Sequence, residues 1–145
     1  MADASIIDIG GVQWNVKDKD ARDRITVIED ILTVKDLPNP TFIKNPNYSY
    51  TSFELYNHYS FGKIHFIYIR LQNIKGSGIG TTNSARICSL DIKPKKLTSF
   101  MMFDYVNGKT MRCYFDPEGN FNIGESNGVS SGNNICFGEL IFAEA

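Results

Sequence analysis

The dipeptide Asn107-Gly108 constrains this chain more than any other feature. It lies between two runs of alternating apolar character, Ser99–Val106 and Lys109–Asp116. Asn-Gly in that setting supplies the two positive-φ positions of a tight type I′ hairpin turn. A two-residue turn predicts a register in which Val106 faces Lys109, Asp104 faces Met111, Met102 faces Cys113 and Phe100 faces Phe115. One face then carries Phe100, Met102, Met111, Cys113 and Phe115, a core set. The other carries Met101, Phe103, Tyr105, Thr110, Arg112 and Tyr114, too apolar for a face turned to water. That second face needs a cover, either a second sheet or a neighbouring subunit.

From Tyr48 onward the rest of the chain has the same strand-and-turn character. Residues 62–73 contain Lys63-Ile64-His65-Phe66-Ile67-Tyr68-Ile69-Arg70-Leu71, apolar on both faces, which predicts a central strand covered twice. Residues 76–85 and 124–134 are rich in Gly, Ser and Asn and read as flexible loops. Residues 86–92 form a short strand ended by Pro94. Asp116-Pro117-Glu118-Gly119 is a tight turn, with Pro setting φ and Gly taking the left-handed position, and residues 120–123 return from it. Residues 135–142 form a last strand, in which Gly138 marks a bulge. Short strands divided by turns, without intervening helices, predict a mainly β head over residues 49–145, an antiparallel, jelly-roll-like β-sandwich.

The N-terminal third is built differently. Residues 1–17 contain an alternating segment, Ile6 to Val16, around Gly10-Gly11: a hairpin or extended arm that orders against a neighbour. In the helix expected over residues 18–35, Ala21, Ile25, Ile28 and Leu32 recur at steps of four, three and four, the seam of a short coiled coil. Val27 and Ile31 widen the stripe, and isoleucine at successive seam positions favours three or more strands over two. The plainer reading is an amphipathic helix packed on its own domain. Residues 36–48 hold Pro38, Pro40 and Pro46 and read as a stiff neck.

Composition narrows the function classes. A net charge of −1 argues against nucleic-acid binding, which needs clustered Lys and Arg; Lys93, Lys95 and Lys96 are interrupted by Pro94 and read as a turn. No apolar run approaches the roughly 20 residues that span a bilayer, and the first residues lack the basic start and apolar core of a signal peptide. Cys88, Cys113 and Cys136 have no CxxC spacing and read as buried, reduced thiols of a protein made in a reducing cytoplasm. No HExxH or GxSxG surrounds the two histidines, His58 and His65, and Gly76–Gly80 lacks the strand-then-helix context of a phosphate cradle. The expectation is a non-enzymatic protein without cofactor or metal. His65 reads as a core or interface imidazole; the sharper alternative gathers three copies around a metal or anion on a trimer axis. Tyr48 and Tyr50 precede a cluster, Tyr56, Asn57, His58 and Tyr59, whose rings and polar neighbours suit either sugar faces or a subunit interface. These last four residues are the candidate ligand contacts.

Residues 9–25, Ile9-Gly10-Gly11-Val12-Gln13-Trp14-Asn15-Val16-Lys17-Asp18-Lys19-Asp20-Ala21-Arg22-Asp23-Arg24-Ile25, resemble the start of bacteriophage fibre proteins. In those, a β segment ending in Lys-Asp precedes an Ala-Arg that opens a coiled coil. The β-rich remainder resembles the trimeric heads of phage receptor-binding and head-fibre proteins. The resemblance implies a homotrimer in the virion, made in the host cytoplasm. Its arm (Ile7, Ile9, Val12, Trp14 and Val16) would dock to a tail, baseplate or capsid protein, and its head would contact a host-surface saccharide. A capsid-decorating head fibre, or another appendage without a defined receptor, is the alternative with the same fold. A cellular carbohydrate-binding or enzymatic β-sandwich is the third reading, favoured by a monomer with a convergent polar pocket.

Overall fold

The computed structural model describes residues 5–9, 12–16, 19–80, 84–126 and 128–145, with side-chain surroundings for 23–29 and, within those ranges, from 33 onward. Strands β1 (Ser5–Ile9) and β2 (Val12–Val16) pair antiparallel, Ile9 opposite Val12. The side chains of Ile7, Ile9, Val12, Trp14 and Val16, and of Ala21 and Leu32, lie outside the described set.

Helix α1 (Lys19–Leu32) stops where the Thr33 hydroxyl donates to the Glu29 carbonyl at 2.7 Å. The chain then enters β3 (Val34–Asp36), which pairs with β5 (Ser52–Phe61). Residues 34 and 35, expected to end the helix, are therefore strand; β-branched Thr33 and Val34 favour the extended form once a partner edge is present. Among the described residues no head strand covers Val27 and Ile28, which are 58% and 53% exposed.

The head is mainly β and entirely antiparallel. The remaining strands are β4 (Phe42–Lys44), β6 (Ile64–Gln72), β7 (Ala85–Leu90), β8 (Thr98–Asp104), β9 (Lys109–Phe115), β10 (Asn120–Ile123) and β11 (Ile135–Ala143). They join β3 and β5 in one sheet of order β3-β5-β6-β11-β8-β9-β10-β7-β4. β11 pairs with β6 along its whole length but with β8 only at Cys136, Phe137 and Gly138. Beyond that joint the sheet divides into two halves that close on a common core. Rings bridge the opening: Phe115 lies 5.2 Å from Phe142, Phe53 lies 5.4 Å from Phe121, and Phe42 lies 4.9 Å from Phe53. Ile67, Ile69, Leu71, Met102, Met111, Phe115, Phe121 and Leu140 are fully buried between the halves.

Several local expectations change. Gly138 makes no bulge, since the β11 register runs through it unbroken. A Cβ there would sit 2.6 Å from Met102 Cγ and 3.0 Å from the Met101 carbonyl, so glycine is what lets β8 and β11 meet. The β8–β9 hairpin pairs Asp104 with Lys109, Met102 with Met111 and Phe100 with Cys113, a register two residues away from the expected one. Tyr105-Val106-Asn107-Gly108 form a four-residue loop, closed by Gly108 N–H donating to the Asp104 carbonyl at 2.9 Å. A shift of two preserves side-chain parity, so both faces keep their expected residues.

β6 is covered on one face only: Ile67 and Ile69 are buried, whereas Ile64 and Tyr68 are 44% and 38% exposed. The neck segment contributes β4, which pairs with β7 at the far edge of the sheet. The loops read as flexible brace each other. Ser126 Oγ accepts the Gly80 amide at 2.9 Å and donates to the Gly78 carbonyl at 3.2 Å, while Asn134 Oδ1 accepts the Ile74 amide at 3.2 Å. The Asp116–Gly119 turn forms as expected, with Gly119 at φ 86° and its amide on the Asp116 carbonyl at 2.8 Å.

Candidate functional site

Alternation along β5 would send Tyr56 and Tyr59 to opposite faces. A bulge prevents this. Tyr56 pairs with Tyr68 and Tyr59 with Phe66, so Asn57 and His58 together oppose a single residue of β6, and Asn57 takes a left-handed φ of 54°. The bulge turns both tyrosines outward and His58 inward. Tyr56 packs on Tyr68 with centroids 5.0 Å apart, and Tyr59 lies flat on Phe66 at 4.8 Å. Burial raises the Tyr56 phenol above its ordinary range, with Tyr68 and Glu54 adding to the effect and Arg70 opposing it, so the hydroxyl stays a donor.

Of the four candidate ligand contacts, the structure brings Tyr56 and Tyr59 together, exposes Asn57 at the bulge, and takes His58 inside. His58 and His65 are each 6% exposed. His65 bonds His58 at 2.9 Å and Glu144 at 3.2 Å and stacks on Phe142 at 5.1 Å. Both of its ring nitrogens are engaged within its own chain, which leaves neither for a shared axial metal. Among the described residues, no three of His, Cys, Asp and Glu gather to hold a metal ion.

Around the two tyrosines lies a broader surface that the sequence reading found only in its β8–β9 part. Arg70 meets the Glu54 carboxylate at 3.2 Å and sits 6.0 Å from the Phe137 ring centroid. Phe137 pairs with Phe103 across the sheet joint. Ile141 and Phe103 are 45% and 49% exposed, and Met101 and Tyr105 are 51% and 74% exposed. Among the described residues no second sheet covers this face. The outer side of β5-β6-β11-β8 thus carries a broad set of aromatic and aliphatic side chains, with the Arg70–Glu54 ion pair and exposed Glu139 among them. The two-sided apolar pattern of residues 62–73, expected to mean a strand covered twice, was the signal for it: the outer half of β6 belongs to this surface.

At one margin, Ser99, Phe100, Met101, Arg112 and Tyr114 line a shallow hollow of about 370 Å³. The Tyr114 ring is held over Gly124, where an added Cβ would fall 2.2 Å from Tyr114 Cε2. Arg112 reaches Glu125 at 3.9 Å. A held tyrosine ring, a guanidinium and a hydroxyl can receive a polar, ring-shaped ligand.

No helix among the described residues is long and apolar enough to cross a membrane. No family model matches the sequence, and no curated protein matches it. The head domain of lactococcal phage bIL170, solved as a receptor-binding domain, does match in structure. The two superpose with a TM-score of 0.51 at 16% identity, over 76% of this chain and 100% of that chain. The chain therefore shares the fold of a lactococcal-phage receptor-binding head domain, reached from a largely different sequence.

Proposed function

We propose that the chain is a non-enzymatic receptor-binding subunit of a phage virion, a homotrimer that contacts a host-surface saccharide through its β head. The fold shared with a phage receptor-binding head is the observation that carries this reading. Trimerisation accounts for two surfaces that one chain leaves uncovered: the α1 stripe with Val27 and Ile28, and the outer face of β5-β6-β11-β8. Patches of this kind are unusual on a soluble monomer, and a short seam gains strength when a second surface joins it. The arm would dock to a tail, baseplate or capsid protein. The hollow of Ser99, Met101, Arg112 and Tyr114, at the margin of that face, is the proposed saccharide seat.

The test is binding of the purified full chain to a panel of bacterial cell-wall polysaccharides, with its mass measured in parallel. A trimer that binds a saccharide, and loses that binding when Arg112 and Tyr114 are both changed to Ala, supports the proposal. A monomer at micromolar concentration, or a trimer that binds none of the panel and decorates capsids, overturns it.

A further inference from the structure

We infer that His58 and His65 form a proton-operated clamp that holds the neck against the head. The inference is independent of the receptor-binding reading.

The hydrogen bonds run in one line from the neck to the C-terminal end of the chain. His58 Nδ1 lies 2.7 Å from the Pro38 carbonyl, His58 Nε2 lies 2.9 Å from His65 Nδ1, and His65 Nε2 lies 3.2 Å from Glu144 Oε2. The His58 backbone carbonyl also accepts the Leu37 amide at 2.8 Å. His58 therefore holds residues 37 and 38 with both its main chain and its ring. The β5 bulge is what aims the ring at them.

Counting protons makes this line sensitive to pH. A carbonyl and an ionised carboxylate only accept, so both outer bonds require N–H on the histidines, at His58 Nδ1 and His65 Nε2. The central bond requires one further N–H. Three protons are needed on four ring nitrogens, whereas two neutral imidazoles carry two. The closed line thus holds one proton more than the neutral pair, and the count is the same if that proton sits on Glu144. A fourth proton would set N–H against N–H across the 2.9 Å His58–His65 contact. Closure needs one extra proton, not two.

The charged groups on the segments packed around the line are Lys35 and Asp36 on β3, Lys63 between β5 and β6, Lys93, Lys95 and Lys96 about the Pro94–Glu144 bridge, and Glu144. The main chain of Lys63 takes the Glu144 amide at 2.9 Å and that of Lys95 reaches the Ala143 carbonyl at 2.8 Å, which fixes where Glu144 stands. Glu144 is the group in hydrogen-bond contact with the pair, and its side chain is 50% exposed, so protons enter from solvent there.

The sign follows from the count. The closed clamp binds one more proton than the open one, so closure weakens as pH rises above the ordinary histidine range, near about pH 6.5, by up to about tenfold per pH unit. The chain has two histidines, both in the clamp, so changes between pH 6 and 8 report on it with little interference.

The experiment follows amide exchange of Leu37 in the full chain from pH 6 to 8, with the core amide of Ile69 as the folding control. Ring-nitrogen resonances of both histidines count the protons directly. Corrected Leu37 protection should fall as pH rises above the ordinary histidine range while Ile69 stays protected, with three of the four ring nitrogens protonated where protection is greatest. Glu144→Gln is the decisive variant: a glutamine amide can donate to His65 Nε2, which satisfies all three bonds with neutral rings. Its Leu37 should stay protected at pH 8 and lose protection only toward the acid end, where added protons break the neutral line, the reverse of the wild-type slope. Constant wild-type protection across this range overturns the inference. So does a Glu144→Gln variant that keeps the wild-type slope, or one that releases Leu37 at every pH.

Discussion

The buried carboxylate of Asp104 accepts the amide of Ile135 at 3.2 Å, tying the end of β8 to the start of β11. The same side chain accepts the Val106 amide at 3.0 Å and the side-chain amide of Asn107. These bonds shape the four-residue loop and thereby set the hairpin register. Asp104→Ala leaves those donors without their acceptor and should lower unfolding free energy by about 2–4 kcal/mol in urea titration. Asp104→Asn keeps one acceptor oxygen and should lose roughly half as much. An Ala variant within about 0.5 kcal/mol of wild type would mean the loop holds its shape without the carboxylate.

Gly138 stands at the joint where the two halves of the sheet separate. Gly138→Ala should cost about 1–3 kcal/mol in thermal unfolding, because the added methyl meets buried Met102 and the Met101 carbonyl. Gly108 offers the contrast. A Cβ there meets nothing within 4 Å, and the cost of Gly108→Ala, about 1 kcal/mol, comes from its φ of +63° alone. If Gly138→Ala proves as mild as a surface change, the halves can part without loss.

Cys88, Cys113 and Cys136 are free and buried. Burial pushes Cys88 up to about 12 and Cys136 to about 12, with the Asp104 carboxylate adding to the second. Cys113 is also raised by burial, with Cys136 beside it. Thiolates are the reactive form, so native alkylation at pH 8 should be slower by orders of magnitude than after denaturation. Rapid native labelling of any of the three would contradict its place in the core.

Phe103 and Ile28 test assembly apart from folding. Each is about half exposed in the single chain, Phe103 at 49% and Ile28 at 53%. Phe103→Glu and Ile28→Asp should therefore leave the β head's secondary structure intact. In a trimer they would place carboxylates in closed interfaces, and sedimentation should show dissociation at concentrations where wild type remains assembled, a loss of at least about 2–3 kcal/mol. Unchanged mass in both variants would remove these surfaces from any interface.

The amino-acid order alone determined what depends on near neighbours. Period-two alternation assigned Phe100, Met102, Met111, Cys113 and Phe115 to the core, and the five are buried or half-buried there. Turn chemistry placed the Asp116–Gly119 reversal, and the four-three-four spacing placed the helix. Even the mistaken hairpin register left the faces right, because a slip of two residues keeps parity. Tertiary structure alone decided the rest. Whether Gly138 bulges or permits contact depends on Met102, 36 positions earlier in the chain. Whether Tyr56 and Tyr59 share a face depends on one extra residue of β5 opposite β6, which no local pattern encodes. His58 turns inward toward His65 and Glu144 for the same reason, and the neck becomes an edge because β7 offers Phe42 a partner. Side-chain parity is a property of the strand itself, whereas bulges, joints and edges arise where two strands meet, and the free energy that selects them comes from contacts distant in sequence.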